Sequence, residues 1–358
     1  MVVSSKSEFL SEKLMKSFIV ASLLTLFAVP TLFAAEVKND RVRQEGNRLV
    51  VTYDLEGTEK ESKVSVTIKI GEKAFGADQL HLEGDVGTVR PGKGKKIWWN
   101  VLQDFPRGLN DDVEVNVTAG GGDFTDPVTG MEFVWVPGGC YQMGCGSWQS
   151  DCMDEEKPVH EVCVDGFWMG KTEVTQGQWQ QIMDDNPADN TSIFKNTENY
   201  PVEEVSWNDT QEFLQKMTRK SGKNYRLPTE AEWAYAARSG GKEEKYASGS
   251  NDDAVAWHDG NSGNHTHPVA QKLPNGLGIY DMIGNVWEWC QDWYGDKYYG
   301  NSPRNNPRGP FLGSDRVSRG GSWKYYRDWP RRLAFRNSFR PDKRYPFLGF
   351  RLVLPAGQ

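Results

Sequence analysis

Cysteine has the widest choice of chemistry in this chain, because a thiolate can bind a metal, attack a substrate or form a disulfide. Four of the five cysteines, Cys140, Cys145, Cys152 and Cys163, lie close together in the sequence. Thiolate zinc sites favour short paired spacings that this group lacks, so we predict two disulfides, with zinc as the alternative. Of the three connectivities, Cys145–Cys152 nested inside Cys140–Cys163 suits a loop between two strands.

The fifth cysteine, Cys290, directly follows Trp287-Glu288-Trp289. Aromatic neighbours favour burial, and burial in apolar surroundings keeps a thiol protonated and unreactive. We therefore predict an inert buried thiol at this position rather than a nucleophile.

An oxygen-rich block precedes this cysteine. Calcium binds several oxygen ligands, and an irregular loop can supply main-chain carbonyls beside a carboxylate. Glu288, with the carbonyl groups around Asn285 and Val286, offers such a set and predicts a structural calcium site. The alternative is an ion pair between Glu288 and an arginine such as Arg336 or Arg351.

The C-terminal region interleaves aromatic side chains with Arg, Asn and Asp, mostly on short loops. Such mixtures are typical of binding surfaces, where rigid aromatics supply contact area and polar groups supply direction. Some of these aromatics must pack on the domain instead, and we expect Trp323 and Phe350 to lie inside. The side chains predicted to be at least partly exposed and to bind a ligand are Tyr325, Tyr326, Trp329, Phe339 and Tyr345.

Other kinds of site have weaker support in the sequence. His265 and His267 could project to one side of a strand, but a third metal ligand is not evident. The sequence shows no nucleophile motif of a hydrolase and no glycine loop of a nucleotide site. A formal charge of −7, with both signs interspersed, argues against nucleic-acid binding. The expected partners are a protein, a glycan or a peptide.

The N-terminal region predicts export. An apolar run over residues 18–29 follows Lys13 and Lys16 and precedes Ala34-Ala35, a pattern typical of a secretory signal peptide over residues 1–35. An uncleaved membrane anchor is the alternative. Export to the periplasm or the outside of the cell agrees with the predicted disulfides.

Residues 36–120 predict a small antiparallel β-sandwich of immunoglobulin or fibronectin character. Apolar residues alternate with polar ones in several runs, as at Leu49, Val51 and Tyr53, and Trp98-Trp99 with Val101 predicts a further strand. The glycine-rich stretch from Gly120 leads into a linker over residues 121–130.

Residues 131–358 predict a second, loop-rich domain with three helices. Capping boxes mark the helix starts, because a Ser or Thr side chain and the residue three places on satisfy free amides there. The third helix is expected from Trp233 to Arg238. The predicted pairs are Thr175 with Gln178, Ser206 with Asp209 and Thr229 with Glu232.

Ordered motifs over residues 130–355 resemble the formylglycine-generating enzyme family, also called sulfatase-modifying factors. The resemblance implies an α+β protein whose second domain has that family's loop-rich version of the C-type-lectin-like fold, and a calcium ion at the Glu288 block. The motifs are Pro137-Gly138-Gly139, residues 166–175, Val205-Ser206-Trp207, residues 225–233, Asn275-Gly276-Leu277-Gly278, residues 284–289, Arg319-Gly320-Gly321-Ser322 and Gly349-Phe350-Arg351.

The resembled oxidase binds copper through two cysteines between the last two of these motifs. No cysteine follows Cys290, so copper is not expected. Counting from Gly320 places the two cysteine positions on Pro330 and Phe335, and anchoring on Ala334-Phe335-Arg336 places them on Asp328 and Leu333. Met169 and Met282 are thioethers in aromatic surroundings, which favours a role in the core.

The sequence therefore predicts an exported, non-catalytic member of this family that binds a ligand or protein through its C-terminal loops. The arrangement also resembles the variable proteins of diversity-generating retroelements, some of which use this domain with a variable C-terminal ligand surface. The alternatives are an oxidoreductase of the same family that acts in protein maturation without the cysteine pair, and a structural component of the cell envelope.

Overall fold

The computed structural model describes residues 36–56, 62–71, 73–109, 113–121, 123–149, 151–190, 198–247, 252–324 and 332–356. The chain packs as two units, one ending at Gly122 and one over Asp123–Ala356. The predicted signal peptide and the side chains of Tyr325, Tyr326 and Trp329 lie outside the described residues. None of the helices in the described part of the chain is long and apolar enough to cross a membrane.

Among its described residues, the first unit has eight strands, one short helix and one 3₁₀ turn at Ala77–Gln79. They are β1 (Glu36–Glu45), β2 (Arg48–Glu56), β3 (Ser62–Ile70), β4 (Lys73–Gly76), β5 (Leu82–Gly84), β6 (Gly87–Val89), β7 (Gly92–Asn100), β8 (Val113–Gly121) and α1 (Val101–Asp104).

Two antiparallel sheets enclose the core of this unit. One sheet has the order β1-β2-β7-β5, and the other has the order β4-β3-β6 with β8 also paired to β3. Leu49, Val51 and Tyr53 on β2 face inward and pack in one cluster with Trp99 of β7. Their alternation with polar residues has the strand period, so burying one face requires two stacked sheets. Val101, expected to continue the strand, instead begins α1.

The second unit is loop-rich, and the part of it that the structure describes carries ten strands and three helices. They are β9 (Phe124–Thr125), β10 (Glu132–Val136), β11 (Gly139–Met143), β12 (His160–Val164), β13 (Phe167–Gly170), α2 (Gln176–Met183), α3 (Trp207–Ser221), α4 (Glu230–Ala237), β14 (Trp287–Trp293), β15 (Arg316–Arg319), β16 (Asn337–Phe339), β17 (Leu348–Gly349) and β18 (Val353–Pro355). Within these described ranges, 3₁₀ turns cover Asp154–Glu156, Pro187–Asn190 and Tyr298–Asn301.

All three predicted capping boxes are present. Thr175, Ser206 and Thr229 each accept a hydrogen bond from the amide three residues on, and the partner side chain bonds back. These contacts satisfy amides that the first helical turn leaves without partners. The third helix begins at Glu230, earlier than expected, because the residue after its cap already has helical geometry.

Sheets and disulfides organise the rest of this unit. The strand orders are β18-β13-β10-β9, β11-β12 and β16-β15-β14-β17. Cys140–Cys163 joins the paired strands β11 and β12, and Cys145–Cys152 closes the loop between them, which confirms the nested pairing. Strand β9 pairs with β10, so part of the range predicted as a linker belongs to this unit's sheet.

Candidate functional site

Glu288 lies at the centre of the second unit with its carboxylate fully buried. Arg351 donates to both carboxylate oxygens through Nε and Nη2, each at 2.7 Å, and Trp233 donates Nε1 to Oε2 at 2.7 Å. Strand β14 places Glu288 beside Gly349 of β17, two residues before Arg351. The ion pair considered for Glu288 therefore exists, and Arg351 is its partner.

Two further carboxyl groups surround this pair. Burial raises the pKa of Glu173 well above its ordinary value, with a further rise from the charges of Asp281 and Glu288. Burial likewise raises the pKa of Asp281 to about 6. Asp281 Oδ2 accepts from the Ala270 amide at 2.7 Å, whereas its buried Oδ1 has no hydrogen-bond partner among the described residues. The cluster contains three buried carboxyl groups, those of Glu173, Asp281 and Glu288, and the single guanidinium of Arg351 cannot neutralise all three as carboxylates.

Asn285 bonds to its surroundings through its side chain and its main chain. Its Oδ1 accepts from the His267 amide at 3.0 Å, and its main-chain oxygen accepts from the Trp323 amide at 2.9 Å. The neighbouring Val286 amide donates to Glu173 at 3.4 Å. A calcium ion at the predicted set would compete with Arg351 and Trp233 for the Glu288 carboxylate, and it would share the Asn285 oxygens with their hydrogen-bond donors. Calcium binding here stays a prediction.

Sequence reasoning missed Glu173 and Asp281 as members of this cluster. Glu173 is far from Asn285 in the sequence, yet Asn285 Nδ2 donates to its carboxylate at 3.2 Å. No local spacing signals such a contact. The only sequence signal was that both acids stand inside motifs rich in glycine and aromatic residues.

The positions that copper would require do not fit that metal. Leu333 and Phe335 are apolar and buried, while Pro330 and Asp328 lie outside the described residues. Cys290 is also fully buried, and burial raises the pKa of its thiol well above the ordinary value. Copper(I) needs thiolate or thioether ligands, and the described chain presents none on these segments. Met169 and Met282 pack in the core, as expected.

Four buried arginines fix the C-terminal segment. Arg332 pairs with Glu156 at 2.8 Å, and Arg336 pairs with Glu230 at 2.6 Å. Arg319 instead donates to main-chain oxygens, at 2.9 Å for Leu333, 3.0 Å for Ala334, and also to Phe335. Together with Arg351, these contacts hold a stretch of chain that has little secondary structure of its own.

Four aromatic residues meet at the surface formed by the C-terminal loops. Phe339 and Tyr345 are half-buried with ring centroids 5.1 Å apart, and Tyr345 stacks on Phe347 at 5.0 Å. Trp323 donates Nε1 to the Pro346 carbonyl at 3.0 Å. We call the half-buried Trp323, Phe339 and Tyr345, together with the buried Phe347 that Tyr345 stacks on, the C-terminal aromatic surface. Phe350 is fully buried, as expected. Trp323 was expected inside but is half-buried, with its indole nitrogen hydrogen-bonded to the Pro346 carbonyl of a surface loop.

The predicted histidine pair forms a stack rather than a ligand set. His267 lies 3.7 Å from the Trp257 ring in a parallel arrangement, and its Nε2 lies 2.7 Å from the Ser262 carbonyl. The His265 ring is 4.4 Å away and tilted. Burial lowers the pKa of His267. These contacts are those of a packed turn.

Comparison with known proteins decides the family. The sequence family described as the sulfatase-modifying factor enzyme 1-like domain matches residues 123–356, which are the second unit. The chain belongs to this family. Its fold is the one that the resemblance implied, an α+β loop-rich domain, here following a sandwich of strands.

Several relatives of this sulfatase-modifying factor family member have curated names. Chaperone protein LppX of Paenibacillus barcinonensis is 33% identical over 242 residues, covering 53% of this chain and 78% of that protein. The formylglycine-generating enzyme of Streptomyces coelicolor is 43% identical over 140 residues, which cover 35% of this chain and only 42% of that enzyme. The formylglycine-generating enzyme of Mus musculus is 28% identical over 259 residues, covering 55% and 67%.

Two solved structures share the fold of the second unit. Treponema denticola variable protein 1 is 29% identical with a TM-score of 0.58, covering 65% of this chain and 98% of that one. PvdO from Pseudomonas aeruginosa is 26% identical with a TM-score of 0.58 and the same coverage.

Proposed function

We propose that this sulfatase-modifying factor family member is an exported binding protein without oxidase activity, whose ligand contacts the C-terminal aromatic surface. One observation carries the proposal. For each of the two possible placements of the copper-binding pair, the one described position holds a buried apolar side chain, Phe335 or Leu333, and the free thiol of Cys290 is also buried. Neither apolar side chain can bind or activate a metal.

The C-terminal aromatic surface supports a binding role. Its three half-buried rings, those of Trp323, Phe339 and Tyr345, give a ligand a rigid contact with little loss of side-chain entropy. Charged groups border it: Arg344 pairs with Asp209 at 2.7 Å, and the exposed Arg340 lies 3.2 Å from Asp342. Apolar centres with charged rims are typical of protein interfaces.

A protein or peptide ligand is the favoured class. One relative, from Paenibacillus, is named a chaperone protein, and that name supports a protein ligand here.

Two disulfides support the proposed export to the periplasm or the cell exterior, because such bridges persist in oxidising compartments. The proposal keeps a structural calcium ion at Asn285, Val286 and Glu288, subject to the competition with Arg351 described above.

The oxidase hypothesis is tested by incubating the full chain, loaded with copper(I), with a sulfatase-type peptide that contains a cysteine. Mass spectrometry reads conversion of that cysteine to formylglycine. We expect no conversion, and we use a formylglycine-generating enzyme as the positive control. Conversion by this chain would refute the proposal and establish the oxidoreductase alternative.

The binding surface is tested with Tyr345→Ser. The probe is reduced, carboxymethylated α-lactalbumin, a permanently unfolded protein of the class that a chaperone binds. Loss of one aromatic anchor is expected to weaken binding about tenfold or more. Because Tyr345 packs on Phe339 and Phe347, the thermal midpoint is also expected to fall, so binding is compared at a temperature where both proteins are folded. Leu273→Ser, at a side chain that is 62% exposed, is the matched control and is expected to bind like the wild type. Equal binding by all three proteins would remove the surface from the proposal.

A further inference from the structure

The Cys145–Cys152 disulfide joins a buried cysteine to a partly exposed one. It lies in the loop between β11 and β12 and links residues that are 7 apart in the sequence. Cys145 is 5% exposed, whereas Cys152 is half-buried. A thiolate attacks a disulfide at the sulfur that it can reach, and the other sulfur leaves with the electron pair of the broken bond. Attack from solvent at Cys152 therefore makes Cys145 the leaving group.

A buried guanidinium lies against the Cys145 sulfur. Arg332 Nη1 is 3.4 Å from Cys145 Sγ, and Arg332 is itself buried. The buried Nε of Arg332 has no hydrogen-bond partner among the described residues, so this guanidinium has an unused donor. A positive group beside a cysteine stabilises its thiolate form, and a stabilised thiolate leaves a disulfide faster. The position of Arg332 therefore favours exchange in which Cys145 is the leaving group.

Glu156 is the third ionisable group beside this disulfide. Its fully buried carboxylate accepts hydrogen bonds from Nη1 and Nη2 of Arg332, both at 2.8 Å. A Glu156 carboxylate oxygen and the sulfur atoms of Cys145 and Cys152 all lie within 4.8 Å of one another. The buried pair contains one positive and one negative charge, so a second negative charge is costly unless a proton enters with it. Glu156 is positioned to accept that proton.

The Cys140–Cys163 disulfide has a different electrostatic environment. Its cysteines are both half-buried and stand opposite each other on the paired strands β11 and β12. Arg304 Nη2 lies 4.0 Å from Cys140 Sγ, but the Arg304 side chain is 51% exposed and pairs with Glu161. Water and salt screen such an exposed charge, so it stabilises a thiolate much less than a buried one does. The second disulfide therefore serves as an internal control.

We propose that the Cys145–Cys152 disulfide is a thiol–disulfide exchange site that oxidises dithiol compounds. A first substrate thiol gives its proton to Glu156, and its sulfur bonds to Cys152 Sγ. The bond between Cys152 and Cys145 breaks, and its electron pair goes to Cys145, whose thiolate is stabilised by Arg332. The second substrate thiol then attacks the first substrate sulfur, and Cys152 leaves and takes up the proton of that thiol.

Each reaction oxidises one dithiol to a disulfide and reduces one protein disulfide to two cysteines. It uses neither copper nor oxygen, so it differs from the oxidase reaction tested above. The exchange site is also separate from the C-terminal aromatic surface. The inference therefore goes beyond the proposed binding function.

The first test compares the two disulfides in the native full chain. Dithiothreitol is the dithiol probe. Samples taken over time are alkylated with N-ethylmaleimide, and mass spectrometry identifies the labelled cysteines. We expect Cys145 and Cys152 to be labelled about tenfold faster, or more, than Cys140 and Cys163, because a buried guanidinium stabilises only the first leaving group. Equal rates for the two disulfides would refute the proposal.

The second test identifies the sulfur that is attacked. Glutathione has a single thiol, and quenching with acid traps the mixed disulfide that it forms with the protein. We expect peptide mass spectrometry to find glutathione on Cys152. Glutathione on Cys145 would contradict the proposal, because the sulfur beside Arg332 would then be the one attacked rather than the one that leaves.

The third test removes the charges beside the disulfide. Arg332→Gln/Glu156→Gln leaves two side chains that can still hydrogen-bond to each other and leaves neither charge buried without a partner. Reduction of Cys145–Cys152 by dithiothreitol is expected to slow about tenfold or more, because the leaving thiolate loses its guanidinium. Loss of structure would instead speed the reduction of both disulfides. An unchanged or faster reduction of Cys145–Cys152 in a folded double variant would refute the proposal.

Two further variants complete this design. Arg304→Gln removes the exposed guanidinium beside the other disulfide and is expected to leave the reduction of Cys145–Cys152 unchanged. Tyr345→Ser is expected to react with dithiothreitol like the wild type, so failure of the exchange proposal would leave the proposed binding surface standing. If the double variant does not fold, the position of glutathione on the wild-type protein decides the question.

Discussion

Replacing Glu288 with glutamine tests whether its carboxylate serves Arg351 or a calcium ion. Glu288 accepts hydrogen bonds from Arg351 Nε and Nη2 and from Trp233 Nε1, all at 2.7 Å and all buried. Glutamine keeps one acceptor oxygen and turns an amide NH₂ toward the guanidinium. Breaking a buried pair from one side costs roughly 3 to 5 kcal/mol. We expect about 3 kcal/mol, the lower end of that range, because Glu173 and Asp281 lie close enough to offset part of the charge of Arg351.

The measurement is urea unfolding of the full chain followed by tryptophan fluorescence. Of the fourteen tryptophans, Trp98 and Trp99 belong to the first unit, so the signal reports mainly on the second. Glu132→Gln is the control. Its partner Lys171 lies 2.6 Å away, but both side chains are substantially exposed, and such pairs contribute about 1 kcal/mol or less.

A loss below about 1 kcal/mol for Glu288→Gln would contradict the assignment of a buried ion pair. The response to calcium is the second criterion. A ligand that binds only the folded state increases the free energy of unfolding, and well above its Kd this increase grows with the logarithm of the ligand concentration. If millimolar calcium stabilises the wild type but not Glu288→Gln, the carboxylate binds the ion. Equal calcium responses would place any ion at other oxygens.

Three further predictions concern a buried acid, the thiols and a helix cap. Folding raises the pKa of Asp281 to about 6, so the neutral form favours the folded state at low pH and that stability is lost as pH rises from about 4 to about 6. Asp281→Asn should therefore stabilise the protein at pH 8 by up to about 3 kcal/mol and have little effect near pH 4, as read by urea unfolding. Ellman's reagent should find no reactive thiol in the native full chain and one, Cys290, after unfolding without reductant, whereas zinc thiolates at the other four would give five. Thr229→Ala should cost about 1 kcal/mol through the lost cap of α4, and an unchanged midpoint of unfolding would show that Arg226 and Glu232 hold the helix start without it.

Features that depend on neighbours in the sequence could be predicted. The capping boxes at Thr175, Ser206 and Thr229 each join residues three places apart, and both disulfides span one short loop. Alternation along β2 likewise fixed which face of the strand is buried. In the capping boxes and along β2 the deciding residues lie within a few positions of one another, and the disulfide partners are only 7 and 23 residues apart.

Choices between distant partners could not be predicted. Both Arg336 and Arg351 were available to Glu288, and only the parallel pairing of β14 with β17 selects Arg351. Arg336 instead meets Glu230 of α4. The exposure of Phe311 and Leu312 was also not foreseen, because apolar side chains on a loop are ordinarily expected to fold back on the domain.

The contacts of Arg319 have a consequence for how this protein can change over evolutionary time. Arg319 holds residues 333–335 by their carbonyl groups, and every amino acid carries the same carbonyl. The attachment therefore places no demand of its own on which side chains stand along the C-terminal loops. Exposed side chains on these loops can change without disturbing this attachment, whereas buried residues such as Arg332, Leu333 and Arg336 remain constrained by their own contacts.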